Sequence, residues 1–207
     1  MRTVVYVDAF NLYYGAVKGT PYKWLDLSAL CLAVIPRNEI VGIKYFTARI
    51  LSRPDAPSRA INQQMYLRAL QTIPSLHVIY GHYLSHVVWM PLASPTPGQK
   101  PFVQVIKTEE KGSDVNLASH LLLDAFDDAF DCAVVISGDS DLRTPVHLVQ
   151  GRFRKTVGVL NPQGQICRAL KESASFYKHI RESALQRSQF PTVLTDANGA
   201  FHKPVGW

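Results

Sequence analysis

The sequence predicts an α/β fold in which a mainly parallel β-sheet is covered by helices on both faces. Three observations predict it. Apolar runs rich in β-branched residues recur along the chain, and most are separated by stretches with helical spacing, the alternation that feeds a parallel sheet. A length of 207 residues with 47% hydrophobic content is also enough to fill one well-cored domain.

The elements follow in order. "TVVYVDAF" opens the chain as a first strand, and "EIVGIKYFTARIL" is a second. From Pro57 to Ile73 the apolar positions Ile61, Met65, Leu67, Leu70 and Ile73 fall at helical spacing. "LHVIYGHYL" is a third strand. "HVVWMPL" and "FVQVIKT" flank the Pro/Gly-rich "ASPTPGQKP", which predicts a hairpin with a long flexible tip inserted near residues 85–106. From Ser113 to Phe130 a helix is predicted with Ser113 as its cap and Ala118, Leu121, Leu122 and Ala125 on one side. "CAVVIS" and "KTVGVL" complete the strands. Residues 1–188 are expected as one domain and 189–207 as a C-terminal tail whose "DANG" marks a turn.

Composition narrows the class. Cys31, Cys132 and Cys167 are odd in number and scattered, so they predict reduced thiols and neither a disulfide framework nor a zinc ribbon. His82 and His86 lie four apart in strand-like sequence and do not share a helical face for a metal. No apolar run approaches the roughly 18 residues of a membrane helix, and the first residues enter a strand at once, so a soluble, cytoplasmic protein is expected. The net charge of +6 and pI near 9.3 suit a polyanionic partner. Between Glu109 and Asp141 nine acids stand against Lys111 alone, whereas between Arg143 and Arg187 nine Lys/Arg stand against Glu172 and Glu182. An acidic block beside a basic block suits a cation-binding centre that serves an anionic substrate.

The acids fall at positions where a parallel sheet binds ligands, outside the carboxyl ends of its strands. Asp8 follows "TVVYV", with Asn11 three residues on in the turn, and Asp139 and Asp141 follow "CAVVIS". Asp114 lies near the start of its helix, on the side that continues into Ala118, Leu121 and Ala125, and is expected to point inward. Two carboxylates about 4 Å apart repel by about 4 kcal/mol at an effective dielectric near 20. Such a cluster takes up protons or a divalent cation. An all-oxygen donor set favours Mg²⁺ or Mn²⁺ over zinc. Each acid also has a simpler reading, as a turn starter or a helix cap.

"YVDAFNLYYG", "EEKGSDVNLASHLLLDAF" and "VVISGDSDLRTPV" resemble, in order and spacing, the three signature segments of the NYN domain, in particular its LabA-like branch within the PIN-like nucleases. The resemblance covers residues 3 to 182. It implies a three-layer α/β/α, Rossmann-like fold and an acidic pocket holding Mg²⁺ or Mn²⁺ for phosphodiester hydrolysis. Carried over by position, the acidic site falls on Asp8, Asp114, Asp139 and Asp141, with Asn11, Lys111 and Ser137 as further matched residues.

The function expected is that of a metal-dependent endoribonuclease. Asp8, Asp139 and Asp141 would hold the metal, with Asp114 direct or through water, and Asn11 would orient Asp8 or a phosphate oxygen. Gly138 is expected to permit a tight turn, and the N–H groups of residues 140–142 to help hold an anion. Arg143, Arg152, Arg154, Lys155, Arg168 and Lys171 are candidates for positioning phosphates. Tyr13 and Tyr14, in the loop after Asp8, are candidates for stacking on a base. The alternative is a catalytically weak or inactive RNA- or protein-binding module of the same fold. The hairpin face is a candidate for homodimerisation.

Overall fold

The computed structural model describes residues 1–52, 56–96, 98 and 100–207. Part of the hairpin tip expected to be flexible thus lies outside the described residues. In chain order the strands are β1 (Arg2–Asp8), β2 (Glu39–Thr47), β3 (Leu76–Tyr80), β4 (His82–Pro91), β5 (Phe102–Lys111), β6 (Cys132–Ile136), β7 (Thr156–Asn161), β8 (Phe176–His179), β9 (Val193–Asp196) and β10 (Gly199–His202). The helices are α1 (Ala9–Leu12), α2 (Leu27–Val34), α3 (Pro57–Leu70), α4 (Ser113–Phe126), α5 (Arg143–Phe153), α6 (Arg168–Ser173) and α7 (Glu182–Arg187), with a π-helical turn at Tyr13–Val17 and a 3-10 turn at Ser140–Leu142.

Six strands form a parallel sheet in the order β3-β2-β1-β6-β7-β8, so the expected α/β fold is present. β1 and β6 are central and almost wholly buried, which is why their sequences are apolar on both faces. Val4, Tyr6, Ala133, Val135, Val157 and Val159 face one core, filled by Leu117 and Leu121 of α4, Val146 and Val149 of α5 and Leu170 of α6. Val5, Val7, Val134 and Ile136 face the other, filled by Leu30 of α2, Leu67 and Leu70 of α3 and Leu185 of α7. Strand succession runs outward in opposite directions from β1 and β6, so the crevice where the order reverses opens at their carboxyl ends.

One polar link crosses the first core. Asp124 of α4, almost fully buried, accepts a hydrogen bond from the Tyr6 hydroxyl at 2.5 Å and pairs with Lys44 of β2 at 2.6 Å. It fixes α4 over β1 and β2, which places the start of that helix above the crevice.

Several expectations are corrected. "LHVIYGHYL" is two strands broken at Gly81, where a Cβ would come within 2.4 Å of Glu110 Oε1 and 2.5 Å of the Lys111 carbonyl. The antiparallel hairpin β4–β5 therefore runs from His82 to Lys111, beyond 85–106 at both ends. The core stripe of α4 is Ser113, Leu117, Leu121, Asp124 and Ala125, with Ala118 and Leu122 only half-buried. Residues 189–207, expected as a C-terminal tail with a turn at "DANG", carry a docked hairpin. β9 and β10 form a hairpin that turns through "DANG", with Asn198 N–H donating to Asp196 Oδ1 at 2.8 Å and Gly199 at φ +98°. It is docked by buried Phe201, by Trp24 Nε1 donating to the Pro191 carbonyl at 2.8 Å, and by a two-pronged Arg68–Asp196 pair at 2.7 Å. β8, not expected from the sequence, packs Phe176 where any Cβ on Gly158 would overlap its ring.

Asp124→Asn leaves the Lys44 ammonium without its counter-charge in a poorly solvated place and is expected to cost about 3 kcal/mol. The double variant Lys44→Met/Asp124→Leu is expected to recover most of that loss. Urea denaturation of the three proteins checks both.

Candidate active site

The site begins where β1 and β6 end. Asp8 is 3% exposed, and both of its oxygens are engaged. Oδ1 accepts the Asn11 N–H at 2.9 Å, which caps α1, and Oδ2 accepts the Ser137 hydroxyl at 2.9 Å. Ser137 Oγ in turn accepts the Asp139 N–H at 3.0 Å, and Asp139 Oδ1 accepts the Asp141 N–H at 3.0 Å, capping the 3-10 turn. The capping read as the simpler alternative for Asp139 is therefore present, and Asp8, read there as a turn starter, caps a helix instead. They also hold the two strand ends together through Ser137.

Asn11 lies in α1, not in a turn, and its role differs from that expected. Its Oδ1 accepts Gly138 N–H at 3.0 Å and Gln163 Nε2 at 2.7 Å, so it joins the ends of β1, β6 and β7. Asn161 supports the bracket, with Oδ1 accepting the Gln163 N–H at 3.0 Å and Nδ2 donating to the Gln165 carbonyl at 2.7 Å. Gly138 serves close approach more than turn geometry. A Cβ there would come within 2.7 Å of Asn161 Oδ1 and 2.8 Å of Gln163 Cδ.

The third contribution comes from the start of α4. Gly112, at φ +98°, turns the chain out of β5. Glu110 Oε1 then accepts both the backbone N–H of Ser113 at 3.1 Å and its hydroxyl at 2.8 Å. Asp114 does not point inward. It is exposed, because the buried stripe passes through Ser113 and Leu117, a quarter-turn away. It is crowded all the same. Partial burial and the charges of Asp8, Asp139, Glu110 and Asp141 raise its pKa to about 6. Burial, with a smaller push from Asp139, raises Asp8 as well, against the hydrogen bonds from Asn11 and Ser137.

Among the described residues no group of three or more His, Cys, Asp or Glu side chains is placed to hold a metal ion. The donor chemistry nonetheless fits a hard divalent cation, since Mg²⁺ takes one or two carboxylates and keeps several waters. Five neighbouring carboxylates that repel one another, with oxygen donors only, are a set that such a cation relieves.

The remaining expected residues divide. Arg143 is exposed at the start of α5, on the site side. Arg168 and Lys171 line a cleft of about 870 Å³ along α6, which packs against the 3-10 turn carrying Asp141. Arg152, Arg154 and Lys155 lie at the far end of α5, next to the start of β7, and Lys155 pairs there with Asp128. They do not flank the site, and Asp124, Asp127, Asp128 and Asp131 of the acidic block do not enter it. The 140–142 amides are only partly free, since Asp139 takes the Asp141 N–H. Lys111 is paired with Glu109 at 3.4 Å. Tyr13 and Tyr14 stand in the π-helical turn instead of a loop, both exposed, with Lys18 Nζ 4.9 Å from the centroid of Tyr14. Glu110, Asn161 and Gln163 were not expected. Glu110 was masked by the charge run around it, and no spacing rule connects Asn161 and Gln163 to residue 11.

The raised carboxyl of Asp114 sets a pH dependence. It binds its proton more tightly folded than unfolded, so the stabilisation it gives is present below its ordinary carboxylate range and is lost as pH rises through about 6. In EDTA the melting temperature is expected to fall between pH 4 and 7, and less so in Asp114→Asn; millimolar Mn²⁺ is expected to raise it at pH 7. A thermal-melt series checks this.

Comparison with known proteins completes the description. The NYN domain family model matches residues 2–181. A Pseudomonas putida protein named 6-hydroxy-3-succinoylpyridine 3-monooxygenase is 30% identical over 236 residues, covering 100% of this chain and 75% of its own. A Vibrio parahaemolyticus protein of unknown function has a crystal structure of similar fold, with TM-score 0.56, 19% identity, and coverage of 87% of this chain and 93% of its own. The match spans the six-stranded sheet and all three carboxylate-bearing segments, and the chain belongs to the NYN domain family.

Proposed function

We propose that the protein is a metal-dependent nuclease that hydrolyses phosphodiester bonds, an endoribonuclease acting in the cytoplasm. One observation carries this reading: Asp8, Asp139, Asp141, Glu110 and Asp114 gather at the reversal point of a parallel sheet, where partial burial first and the neighbouring charges second raise the Asp114 carboxyl to about 6. Asp8, Asp114, Asp139 and Asp141 would hold Mg²⁺ or Mn²⁺. When bound, such a cation neutralises charge on the phosphodiester oxygens and activates water.

The chain's own residues supply the rest. Ser137 holds Asp8 and orients the Asp139 backbone, and Asn11 fixes the spacing of the strand ends. Arg143, Arg168 and Lys171 position the substrate backbone, which gives affinity without sequence choice. Lys111, paired with Glu109 beside the start of α4, and Tyr14, exposed with Lys18 over its ring, are further candidates for contact with a phosphate and a base. The three free cysteines, two of them buried, support cytoplasmic residence. No helix among the described residues is long and apolar enough to cross a membrane.

A second reading, oxygenation of a small hydroxypyridine acid, is favoured by the named monooxygenase, whose similarity extends over the entire chain, hairpins included. One set of incubations separates the two. Single-stranded and structured RNA are expected to be cut with Mn²⁺, not with EDTA, and at least about 100-fold more slowly by Asp139→Asn. RNA bound but uncut points to the binding module, and hydroxylation of 6-hydroxy-3-succinoylpyridine with O₂ and an added two-electron reductant to the oxygenase.

The β4–β5 ribbon supports a homodimer. On one of its faces Val87, Trp89, Phe102 and Ile106 are 61%, 63%, 51% and 77% exposed and adjacent in register. An isolated two-stranded ribbon is marginal in water unless covered. Sedimentation velocity is expected to show a dimer, and Trp89→Glu/Ile106→Glu a monomer that retains its fold by circular dichroism.

A further inference from the structure

Arg49 is an exposed cation at the ligand edge of the sheet, and its surroundings hold it in one place. It stands two residues past the end of β2, the strand that pairs with β1 and brings Phe46 level with Asp8. Gln63 of α3 grips the backbone on both sides of it, accepting the Ile50 N–H at 2.9 Å and donating to the Ala48 carbonyl at 2.9 Å. The side chain between these two bonds stacks on Tyr80, the last residue of β3, with the guanidinium 4.9 Å from the ring centroid. Among the described residues Arg49 forms no ion pair. Stacking occupies the flat face of a guanidinium and leaves its N–H edge free, which is the edge that fits a phosphate.

The backbone around this pair leads to the carboxylates. The Tyr80 carbonyl accepts a hydrogen bond from Asn116 Nδ2 at 3.3 Å, and Asn116 belongs to the same first turn of α4 as Asp114. Gly81, the next residue, donates its N–H to the Thr47 carbonyl at 2.7 Å and lies so near Glu110 that a Cβ would come within 2.4 Å of Oε1. Tyr80, with Arg49 over its ring, thus borders the Glu110 side of the carboxylate group.

The strand order fixes what lies opposite. In β3-β2-β1-β6-β7-β8, Asp8 and Asp139 follow the two middle strands, Arg49 follows β2 on one flank, and Arg168 and Lys171 follow β7 on the other. Adjacent strands are roughly 5 Å apart, so the strand ends that carry Arg49 and Asp8 are one such spacing from each other. Cations on one flank alone suit capture of a chain end. Cations on both flanks suit a polyanion that runs on in both directions past the carboxylates.

We infer that the Arg49–Tyr80 pair binds a backbone phosphate of the RNA strand on the β2 side of the scissile bond, so that the strand crosses the carboxylates from the Arg168 flank to the Arg49 flank. The inference rests on the nuclease reading and extends it to a residue outside the basic block between Arg143 and Arg187. Such a contact fixes the path of the strand and is indifferent to its bases.

Fluorescence anisotropy tests it with a labelled single-stranded RNA, Ca²⁺ in place of Mn²⁺, and a series of salt concentrations. The wild-type protein is expected to bind the RNA. Arg49→Gln is expected to bind it about tenfold more weakly, the worth of one hydrogen-bonded charge. The slope of log affinity against log salt is expected to shrink by about 0.7 in that variant, the share of one single-strand phosphate contact. Arg49→Lys, which keeps the charge, is expected to keep the wild-type slope. Lys155→Gln, beyond the far end of α5, is expected to change neither quantity. An Arg49→Gln protein that is folded by circular dichroism and keeps the wild-type affinity and slope overturns the inference, while RNA cleavage by the wild type leaves the nuclease reading standing. An equal loss in Lys155→Gln also overturns it, because the effect is then one of net charge. Absence of RNA binding by the wild type overturns both readings together.

Discussion

Carboxylates gathered at one end of a sheet repel one another, and the loops around this site are organised to resist that repulsion. A pair about 4 Å apart costs about 4 kcal/mol at an effective dielectric near 20, and a hydrogen bond to a charged group returns about 1.5–3 kcal/mol. Asp8 is given bonds from Asn11 and Ser137, yet its pKa stays raised, so the bonds offset its burial and repulsion only in part. Asp139 is given one bond, from the Asp141 amide. Asp114 is given none among the described residues and carries the clearest shift. Added protons relieve this repulsion at Asp114 and at Asp8, the two carboxyls whose pKa is raised.

The same constraint explains why neighbouring residues are small or amide-bearing. To keep Asp8 near Asp139 without direct contact between their charges, a neutral group must stand between the strand ends. Ser137 does this by donating to one side chain and accepting from the other residue's amide. Asn11 does it across a wider gap, reaching Gly138 and Gln163 with one oxygen. A charged residue at either place would add to the repulsion. A side chain at 138 would force Asn161 and Gln163 away and loosen Asn11.

The central strands, the two-sided cover of helices and the position of Asp8, Asp139 and Asp141 were legible because buried parallel strands leave uninterrupted apolar runs, and residues just past them must lie at the ligand edge. What the sequence concealed has physical reasons. The orientation of Asp114 depends on which stripe of α4 is buried, and two adjacent stripes had similar apolar content until Asp124 took up its partners in the core. The split at Gly81 depends on the close approach of Glu110, twenty-nine residues on. The β9–β10 hairpin is held by Trp24, Phe201 and an Arg68–Asp196 pair, contacts with no local periodicity. Charge blocks misled most. A run of acids along the chain alternates between the two ends of the sheet, because α4 carries the chain from one end to the other, leaving Asp128 and Asp131 with Arg2 and Lys155 at the far end.

The reach of Gln163 gives the loop after β7 a place in the site that neither strand-end aspartate requires for its own geometry. Asp8 and Asp139 are already joined through Ser137, so the Asn11–Gln163 bond is redundant as a tie between β1 and β6. Its distinct effect is to bind a third loop, which walls two clefts, to the helix that Asp8 caps. A shift of this loop would lengthen or shorten that bond, and Asn11, whose backbone N–H donates to the capping carboxylate of Asp8, would pass the shift on to it. The tie between the loop after β7 and the Asp8 carboxylate thus runs through two residues, Gln163 and Asn11.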